Sequence, residues 1–145
     1  MNIEIKKAKK SDLKWINSCY DQVNFIHSNF DTEFLAIAKV DLKNAGVGRL
    51  VVIDERTYEL GGIYVTEEFR NLGVAAKIVN FLVEYSNNKT TYCIPFKHLE
   101  NFYKKFGFEE CTSTIDIPEQ IKEKFAFCKN EYNEPVVLLI KKPTS

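Results

Sequence analysis

A glycine-containing turn near the middle of the chain has the residue types that bind a phosphate group. Residues 61–65 end a predicted strand, and a short polar stretch then leads to Gly73 and an amphipathic helix. A helix N-terminus exposes unpaired N–H groups and the positive end of its dipole, which attract phosphates. Gly73 allows close approach of the backbone, and Ala75 and Ala76 keep the first turn free of bulk. A strand-to-helix turn that merely needs a glycine would explain the same residues.

Glu59 is a second residue with chemical potential, because it lies in an otherwise apolar predicted strand, residues 57–65. A carboxylate there is costly unless it is solvated or paired, which invites a functional explanation. It could accept a proton from a nucleophile, directly or through water. Strict alternation places four residues on one face of the strand: Glu59, Gly61, Ile63 and Val65. The alternative is a solvated glutamate at an edge, paired with Arg49 or Lys39.

The turn resembles the phosphate-binding signature of the GNAT acetyltransferases. Arg70-x-x-Gly73-x-Ala75 fits the pattern R/Q-x-x-G-x-G/A, which in that family follows a strand and opens a long helix. The resemblance implies that acetyl-CoA is the co-substrate and that loop amides hold its pyrophosphate. The residues assigned to this role are Arg70, Asn71, Leu72, Gly73, Val74, Ala75 and Ala76. The chain departs from the family at Asn71, often glycine, and at Leu72, often a basic residue.

The same resemblance assigns the backbone of the preceding strand to the pantetheine arm of coenzyme A. Ile63, Tyr64 and Val65 would pair with that arm as with an extra peptide strand. The double glycine at residues 61–62 is a candidate β-bulge that separates this strand from its neighbour and admits the arm. A backbone N–H near Val65 would polarise the thioester carbonyl.

A second segment, residues 101–108, is similar to the closing F-Y-x-K-x-G-F element of the family. The resemblance implies that Tyr103 protonates the departing thiolate, which needs a proton or stabilising charge to leave. Packing with an incidental hydroxyl is the alternative for Tyr103. Several family members carry a catalytic glutamate where Glu59 lies, whereas others use other residues or waters. The implied reaction is direct transfer in a ternary complex without a covalent acyl-enzyme.

Hydrophobic periodicity predicts the elements that must position these residues. Strands are predicted at residues 3–7, 34–40, 48–54, 57–65, 91–94 and 136–141, with a further strand after Gly107. Helices are predicted at residues 11–23, 72–86, 99–106 and 119–129, and residues 24–32 fit a short helix or a loop. Ser11 is the predicted N-cap of the first helix, Gly107 ends the third, and the charged side of the last suits a solvated face.

This order predicts an α/β (α+β) fold with an antiparallel N-terminal half and a βαβ crossover. With the resemblance, we expect a GNAT-like mixed, largely antiparallel twisted sheet of six to seven strands with flanking helices. A chain of 145 residues is the size of one domain, so we predict a single acetyltransferase domain over residues 1–145.

The amino-acid composition argues against several classes of function for this protein. Lys and Arg together number 20, as do Asp and Glu, and a net charge of zero argues against nucleic-acid or membrane coating. Neither a signal-peptide core nor a membrane-length apolar run is present in the sequence, which predicts a cytoplasmic protein. The four cysteines are scattered and the chain has two histidines, so we expect no metal site and mostly buried thiols.

The acceptor is not encoded in these motifs. A small-molecule or peptide amine is compatible with them, and a homodimer is compatible too. Two other functions stay open, a non-catalytic acyl-CoA-binding sensor and an interaction module on the same fold. A longer acyl donor than acetyl also fits.

Overall fold

The computed structural model describes residues 1–113 and 116–144. The strands are β1 (Ile3–Lys7), β2 (Glu33–Val40), β3 (Lys43–Asp54), β4 (Thr57–Val65), β5 (Thr90–Cys93), β6 (Glu109–Glu110) and β7 (Leu139–Lys141). The α-helices are α1 (Leu13–Gln22), α2 (Val74–Ser86), α3 (Glu100–Lys104) and α4 (Glu119–Glu131).

The seven strands form one sheet in the order β1-β2-β3-β4-β5-β7-β6. The pairs β1–β2, β2–β3, β5–β7 and β6–β7 are antiparallel, whereas β4 and β5 are parallel. The parallel pair is the predicted crossover, since α2 connects its two strands. The predicted fold class, a mostly antiparallel sheet of six to seven strands with helices, is confirmed.

The chain divides into two compact units. The first comprises Met1–Val51 and Gly62–Tyr85, and the second comprises Val52–Gly61 and Ser86–Ser145. The prediction of a single domain over residues 1–145 stays a prediction.

In the first unit, close packing fixes the helix that follows the candidate phosphate loop. Ile78, Val79 and Leu82 of α2 are fully buried. A Cβ on Gly48 of β3 would lie only 2.6 Å from the Ile78 side chain and 2.7 Å from that of Ile63. Gly48 therefore lets α2 lie close to the sheet. A second apolar cluster packs α1 against strands β2 and β3, with Ile16, Tyr20, Leu35, Ile37 and Val47 buried.

In the second unit, Tyr92, Ile121 and Leu138 form the centre of a smaller core in which α4 packs against the strands. Gly107 has a φ of +98°, and its N–H donates to the carbonyl of Lys104. Helix α3 itself ends at Lys104 with Lys105 as its C-cap, so the prediction that Gly107 ends this helix is wrong. Gly107 instead closes the turn that follows α3, in a left-handed conformation that favours glycine.

Several boundaries differ from the prediction for local reasons. Strand β3 begins at Lys43 instead of residue 48, because Asp41 and Leu42 adopt positive φ and turn β2 directly into β3. Ser11 is not a helix N-cap, since α1 begins at Leu13 after a 3₁₀ turn. Residues 24–32 form a loop, and β7 begins at Leu139.

Gly62 is a position where a single added methyl group should be costly. Its φ is +61°, and a Cβ there would lie 2.6 Å from the Tyr20 hydroxyl and 2.8 Å from Arg49 Nε. We expect Gly62→Ala to lower the free energy of unfolding by about 2–3 kcal/mol, through strain and displacement of buried groups. Urea denaturation measures this loss.

Gly61→Ala is the matched control, because a Cβ on Gly61 would meet only Glu59 Oε2 at an ordinary 3.5 Å. We expect this control to change the stability by less than about 1 kcal/mol. Equal losses for the two variants would contradict the strained role of Gly62.

Candidate active site

The candidate phosphate loop joins the end of β4 to the start of α2. A 3₁₀ turn at Glu67–Phe69 follows β4, and Arg70 folds back so that its Nε donates to the Val65 carbonyl at 3.0 Å. Asn71 and Gly73 both have left-handed backbone, with φ of +66° and +83°. Asparagine tolerates this conformation better than most residues. The loop is therefore shaped by backbone conformation and by one side chain that braces it, Arg70.

The loop ends in an open helix N-terminus. The N–H of Lys77 donates to the Gly73 carbonyl, which places Val74, Ala75 and Ala76 in the first turn of α2, where N–H groups have no intrahelical acceptor. A Cβ built on Gly73 would meet no atom within 4 Å. A phosphate has free access to the backbone at Gly73, so these residues fit the pyrophosphate of coenzyme A. Leu72 is 41% exposed and adds no charge.

Strand β4 continues beyond its pairing with β5. That register ends at Leu60↔Cys93, whereas β4 extends to Val65. Ile63, Tyr64 and Val65 are half-buried. The Tyr64 hydroxyl donates to Gln22 Oε1 at 2.9 Å, so this side chain is tied to α1 while its main chain remains part of the strand. The N–H of Thr66 donates to the Ala45 carbonyl of β3. Because main-chain groups alternate along a strand, those of Tyr64 also face β3, and those of Ile63 and Val65 can pair with an extended ligand.

Two side chains to which the sequence analysis gave no role at Gly62 hold the backbone there: Tyr20, which it did not name, and Arg49, which it named only as a possible partner of Glu59. The Tyr20 hydroxyl donates to the Gly62 carbonyl at 2.7 Å, and the Arg49 guanidinium lies 4.4 Å from the centre of the Tyr20 ring. Arg49 also donates to the carbonyl of Ile26 and to the Ser28 hydroxyl. Burial raises the pKa of Tyr20, against an opposing effect of Arg49. The phenol therefore remains a hydrogen-bond donor at neutral pH.

Glu59 is buried in the second unit and held by a lysine of α4. It is 4% exposed, and its two carboxylate oxygens lie 2.8 and 2.7 Å from Lys124 Nζ. The lysine side chain is 38% exposed. The partner expected from the sequence, Arg49 or Lys39, is wrong: Arg49 lies 3.9 Å from Glu33 instead. The purely solvated face expected for α4 is also wrong at Lys124.

Tyr103 lies in α3, with its ring enclosed by aromatic neighbours. The side chain is 6% exposed, and ring centres lie 5.0 Å away at Phe102 and 6.1 Å away at Phe108. Burial raises the pKa of Tyr103 well above its ordinary value, and Cys93 adds to the shift. The phenol is thus protonated at any working pH, as a proton donor must be.

Cys93, at the end of β5, interacts electrostatically with both candidate catalytic residues of the second unit. Burial raises the pKa of its thiol well above the ordinary value, Glu59 raises it further and Lys124 opposes them. Cys93 also contributes to the shift at Tyr103. Glu59, Lys124 and Tyr103 therefore all lie within electrostatic range of one protonated, unreactive thiol.

The cysteines form no metal site and no disulfide among the residues that the structure describes. Cys19, Cys93 and Cys128 are buried and Cys111 is half-buried, all as free thiols. Within residues 1–113 and 116–144, no group of three or more His, Cys, Asp or Glu side chains could hold a metal ion. No helix in this part of the chain is long and apolar enough to cross a membrane.

Solved structures with coenzyme A share this fold. Rv2747 from Mycobacterium tuberculosis, in complex with CoA and NLQ, matches with a TM-score of 0.78 at 18% identity over 97% of this chain and 99% of that one. An Elizabethkingia anophelis GNAT acetyltransferase with acetyl-CoA bound matches with a TM-score of 0.66 at 20% identity, over 97% and 98%.

N-acetylglutamate synthase from Neisseria gonorrhoeae, complexed with coenzyme A and N-acetyl-glutamate, matches with a TM-score of 0.75 at 13% identity over 100% of this chain. The chain spans about a third of the length of the two synthase structures that it matches, 36% and 34%. A search of curated protein sequences returned no match.

Sequence comparison with family profiles gives the decisive assignment. The profile of the Acetyltransferase (GNAT) family matches residues 4–108, which include most of β1, all of β2 to β5, the loop before α2 and all of α3. The match covers more than half of the chain, and the seven-stranded fold agrees with it. This chain belongs to the GNAT family of acetyltransferases.

Proposed function

We propose that this chain transfers an acetyl group from acetyl-CoA to a primary amine of a small molecule or peptide, directly within a ternary complex. The observation that carries the proposal is the loop before α2. Its left-handed Gly73 leaves open space where a Cβ would stand, next to the unpaired N–H groups of a helix N-terminus. Acetyl-CoA is a thioester: an amine attacks its carbonyl carbon, the C–S bond breaks, and coenzyme A leaves as the thiolate.

In the first unit, the N–H groups of residues 71–76 bind the pyrophosphate, and β4 beyond Gly62 pairs with the pantetheine arm. Tyr20 and Arg49 support this role indirectly, because they fix the backbone of Gly62 just before the pairing segment. An N–H near Val65 would polarise the thioester carbonyl, which lowers the barrier to attack. Leu72 contributes no charge, so affinity rests on main-chain donors and the helix dipole.

In the second unit, Glu59 or a water that it orders takes the proton from the attacking amine, and Tyr103 protonates the sulfur that leaves. The buried carboxylate of Glu59 has the chemistry for the first step. Its ion pair with Lys124 balances a charge that would otherwise be costly to bury. The acceptor amine must therefore compete with an ammonium group already bound to Glu59.

That ion pair also favours one alternative. If Lys124 holds Glu59 permanently, the chain binds acyl-CoA without turnover and acts as a sensor module. A panel of amino acids, polyamines and peptide N-termini, assayed for release of the coenzyme A thiol, separates the two functions. Release with any amine supports the transferase. Tight acetyl-CoA binding without release across the panel, by a folded protein, supports the sensor. The cytoplasmic location stays a prediction, as does the class of acceptor, a small-molecule or peptide amine.

The role of Glu59 can be separated from its structural pairing. We expect Glu59→Gln to lower kcat by about a hundredfold, the usual scale for a lost general base. The same change leaves Lys124 without its partner. We expect about 1–2 kcal/mol of lost stability, moderated because the lysine is partly exposed to water. Steady-state kinetics and urea denaturation measure the two effects.

The control is Glu59→Gln combined with Lys124→Met, which removes both charges of the pair. We expect it to regain most of the stability and none of the activity. Recovery of kcat in the double variant would show that Glu59 serves only as the partner of Lys124, and the base would have to be sought elsewhere.

A further inference from the structure

The outer edge of β1, in the first unit, has no role in the proposed reaction. Strand β1 stands at one end of the sheet order, and its pairing partner is β2. The N–H of Asp41 donates to the Asn2 carbonyl, and the N–H of Ala8 donates to the Leu35 carbonyl. In an antiparallel ladder such hydrogen-bonded pairs alternate, so the main-chain groups of Glu4 and Lys6 also point to β2. Those of Ile3, Ile5 and Lys7 point outward.

We propose that β1 pairs antiparallel with β1 of a second copy, across a two-fold axis at Ile5, to form a homodimer. The outward main-chain groups fit this arrangement. Ile5 would exchange hydrogen bonds with Ile5 of the second copy, and Ile3 with its Lys7, giving about six main-chain hydrogen bonds in all. Joining two edges removes the unpaired strand that an isolated sheet exposes.

Charge selects this register over its neighbours. Only the odd-numbered residues have main-chain groups that point outward. Hydrogen bonds between the two strands therefore require a register in which odd-numbered residues lie opposite odd-numbered residues. A centre at Ile5 places Glu4 opposite Lys6 of the second copy, twice by symmetry. A centre at Glu4 would oppose two glutamates, and a centre at Lys6 would oppose two lysines. Like charges directly opposite destabilise a pair of strands, whereas opposite charges stabilise it.

The apolar side of the edge supports the same partner. Ile3 and Ile5 are half-buried beside α2, where they line an open groove of about 400 Å³. Phe81 of α2 lines it as well, between Lys77 and Glu84. The two-fold arrangement would place the second copy's Ile5 beside Ile5 at the open side of this groove. Lys6 and Lys7 would discourage most other strands from pairing here, whereas a second copy supplies the matching Glu4.

Two charge-reversal variants test the register. Glu4→Lys places lysines opposite each other in the dimer, and Lys6→Glu places glutamates opposite each other. We expect sedimentation equilibrium over a concentration series to show a dimer for the wild type and monomers for each variant alone. Because a Glu4→Lys strand is complementary to a Lys6→Glu strand, an equal mixture of the two should form a heterodimer.

The mixture separates contacts between copies from those within one chain. Within one chain, Lys6 Nζ lies 3.9 Å from Glu4 Oε1. Each variant gives these two positions like charges, so this ion pair is absent from both members of the mixture. Association on mixing can therefore come only from the proposed pairing. A monomeric wild type, variants that remain dimers, or variants that stay monomeric when mixed would each overturn the proposal. Circular dichroism of each variant confirms that it is folded.

Discussion

Tyr103→Phe is expected to lower kcat by about a thousandfold while leaving the affinity for acetyl-CoA unchanged, on the scale of a lost general acid. The substitution removes one hydroxyl and keeps a ring that packs between Phe102 and Phe108. Loss of packing therefore does not contribute to the fall in kcat. The fall reports the loss of the proton that the leaving thiolate requires. Stopped-assay kinetics with a saturating amine measure the change.

Tyr92→Phe is the matched control, because Tyr92 is another buried phenol of the second unit and burial raises its pKa as well. We expect the control to keep kcat within about threefold of the wild type, since Tyr92 has no assigned role in proton transfer. If both variants lose activity equally, a general effect of removing buried hydroxyls explains the defect, and Tyr103 is not the acid.

The pH dependence of kcat follows from the raised pKa of Tyr103. Burial keeps this phenol protonated above its ordinary titration range, so the acid form persists as the pH rises. The wild type should therefore show no fall in kcat at the ordinary pKa of tyrosine, about 10.

Gly73→Trp is expected to weaken coenzyme A binding by about a thousandfold, which corresponds to about 4 kcal/mol. Two effects combine in that loss. A φ of +83° strains any side-chain-bearing residue, and the indole would fill the open space above the backbone. The loop amides could then no longer donate to a pyrophosphate, and hydrogen bonds to charged groups are worth about 1.5–3 kcal/mol each. The shift in thermal midpoint caused by added coenzyme A measures the affinity.

Leu72→Lys provides a change in the opposite direction at the neighbouring residue. Leu72 is exposed, so a lysine can be introduced without loss of core packing. We expect it to tighten coenzyme A binding about threefold to tenfold, as a charge near a phosphate does at an exposed position. A loop that binds no phosphate would leave the affinity unchanged in Leu72→Lys, and that result would contradict the assignment of residues 70–76.

The fold and the loop could be predicted because they depend on local patterns. The spacing of apolar residues in α1 and α2 follows the period of a helix, and Gly73 and Gly107 adopt the left-handed backbone that glycine alone adopts easily. The start of β3 was missed because Asp41 and Leu42 adopt positive φ without a glycine to indicate it. Such a turn leaves little trace in the amino-acid sequence.

The partners of the candidate catalytic residues could not be predicted, because they come from distant parts of the chain. Lys124 is 65 residues from Glu59, and nothing in the charged pattern of α4 distinguishes it from the neighbouring lysines. Tyr20 is 42 residues from Gly62 and looks like one more member of the apolar stripe of α1. The one available signal was weak: Tyr20 is a hydroxyl-bearing residue at a core position, and such a hydroxyl usually has a partner.

The binding of acetyl-CoA at the loop before α2 is the central claim, and isothermal titration of the folded wild type and of Gly73→Trp tests it most directly. The account predicts saturable binding of one acetyl-CoA per chain to the wild type and binding about a thousandfold weaker to the variant. Absence of binding to the wild type would contradict the proposed transferase and the sensor alternative together. Equal binding to both proteins would place the coenzyme at a site other than residues 70–76.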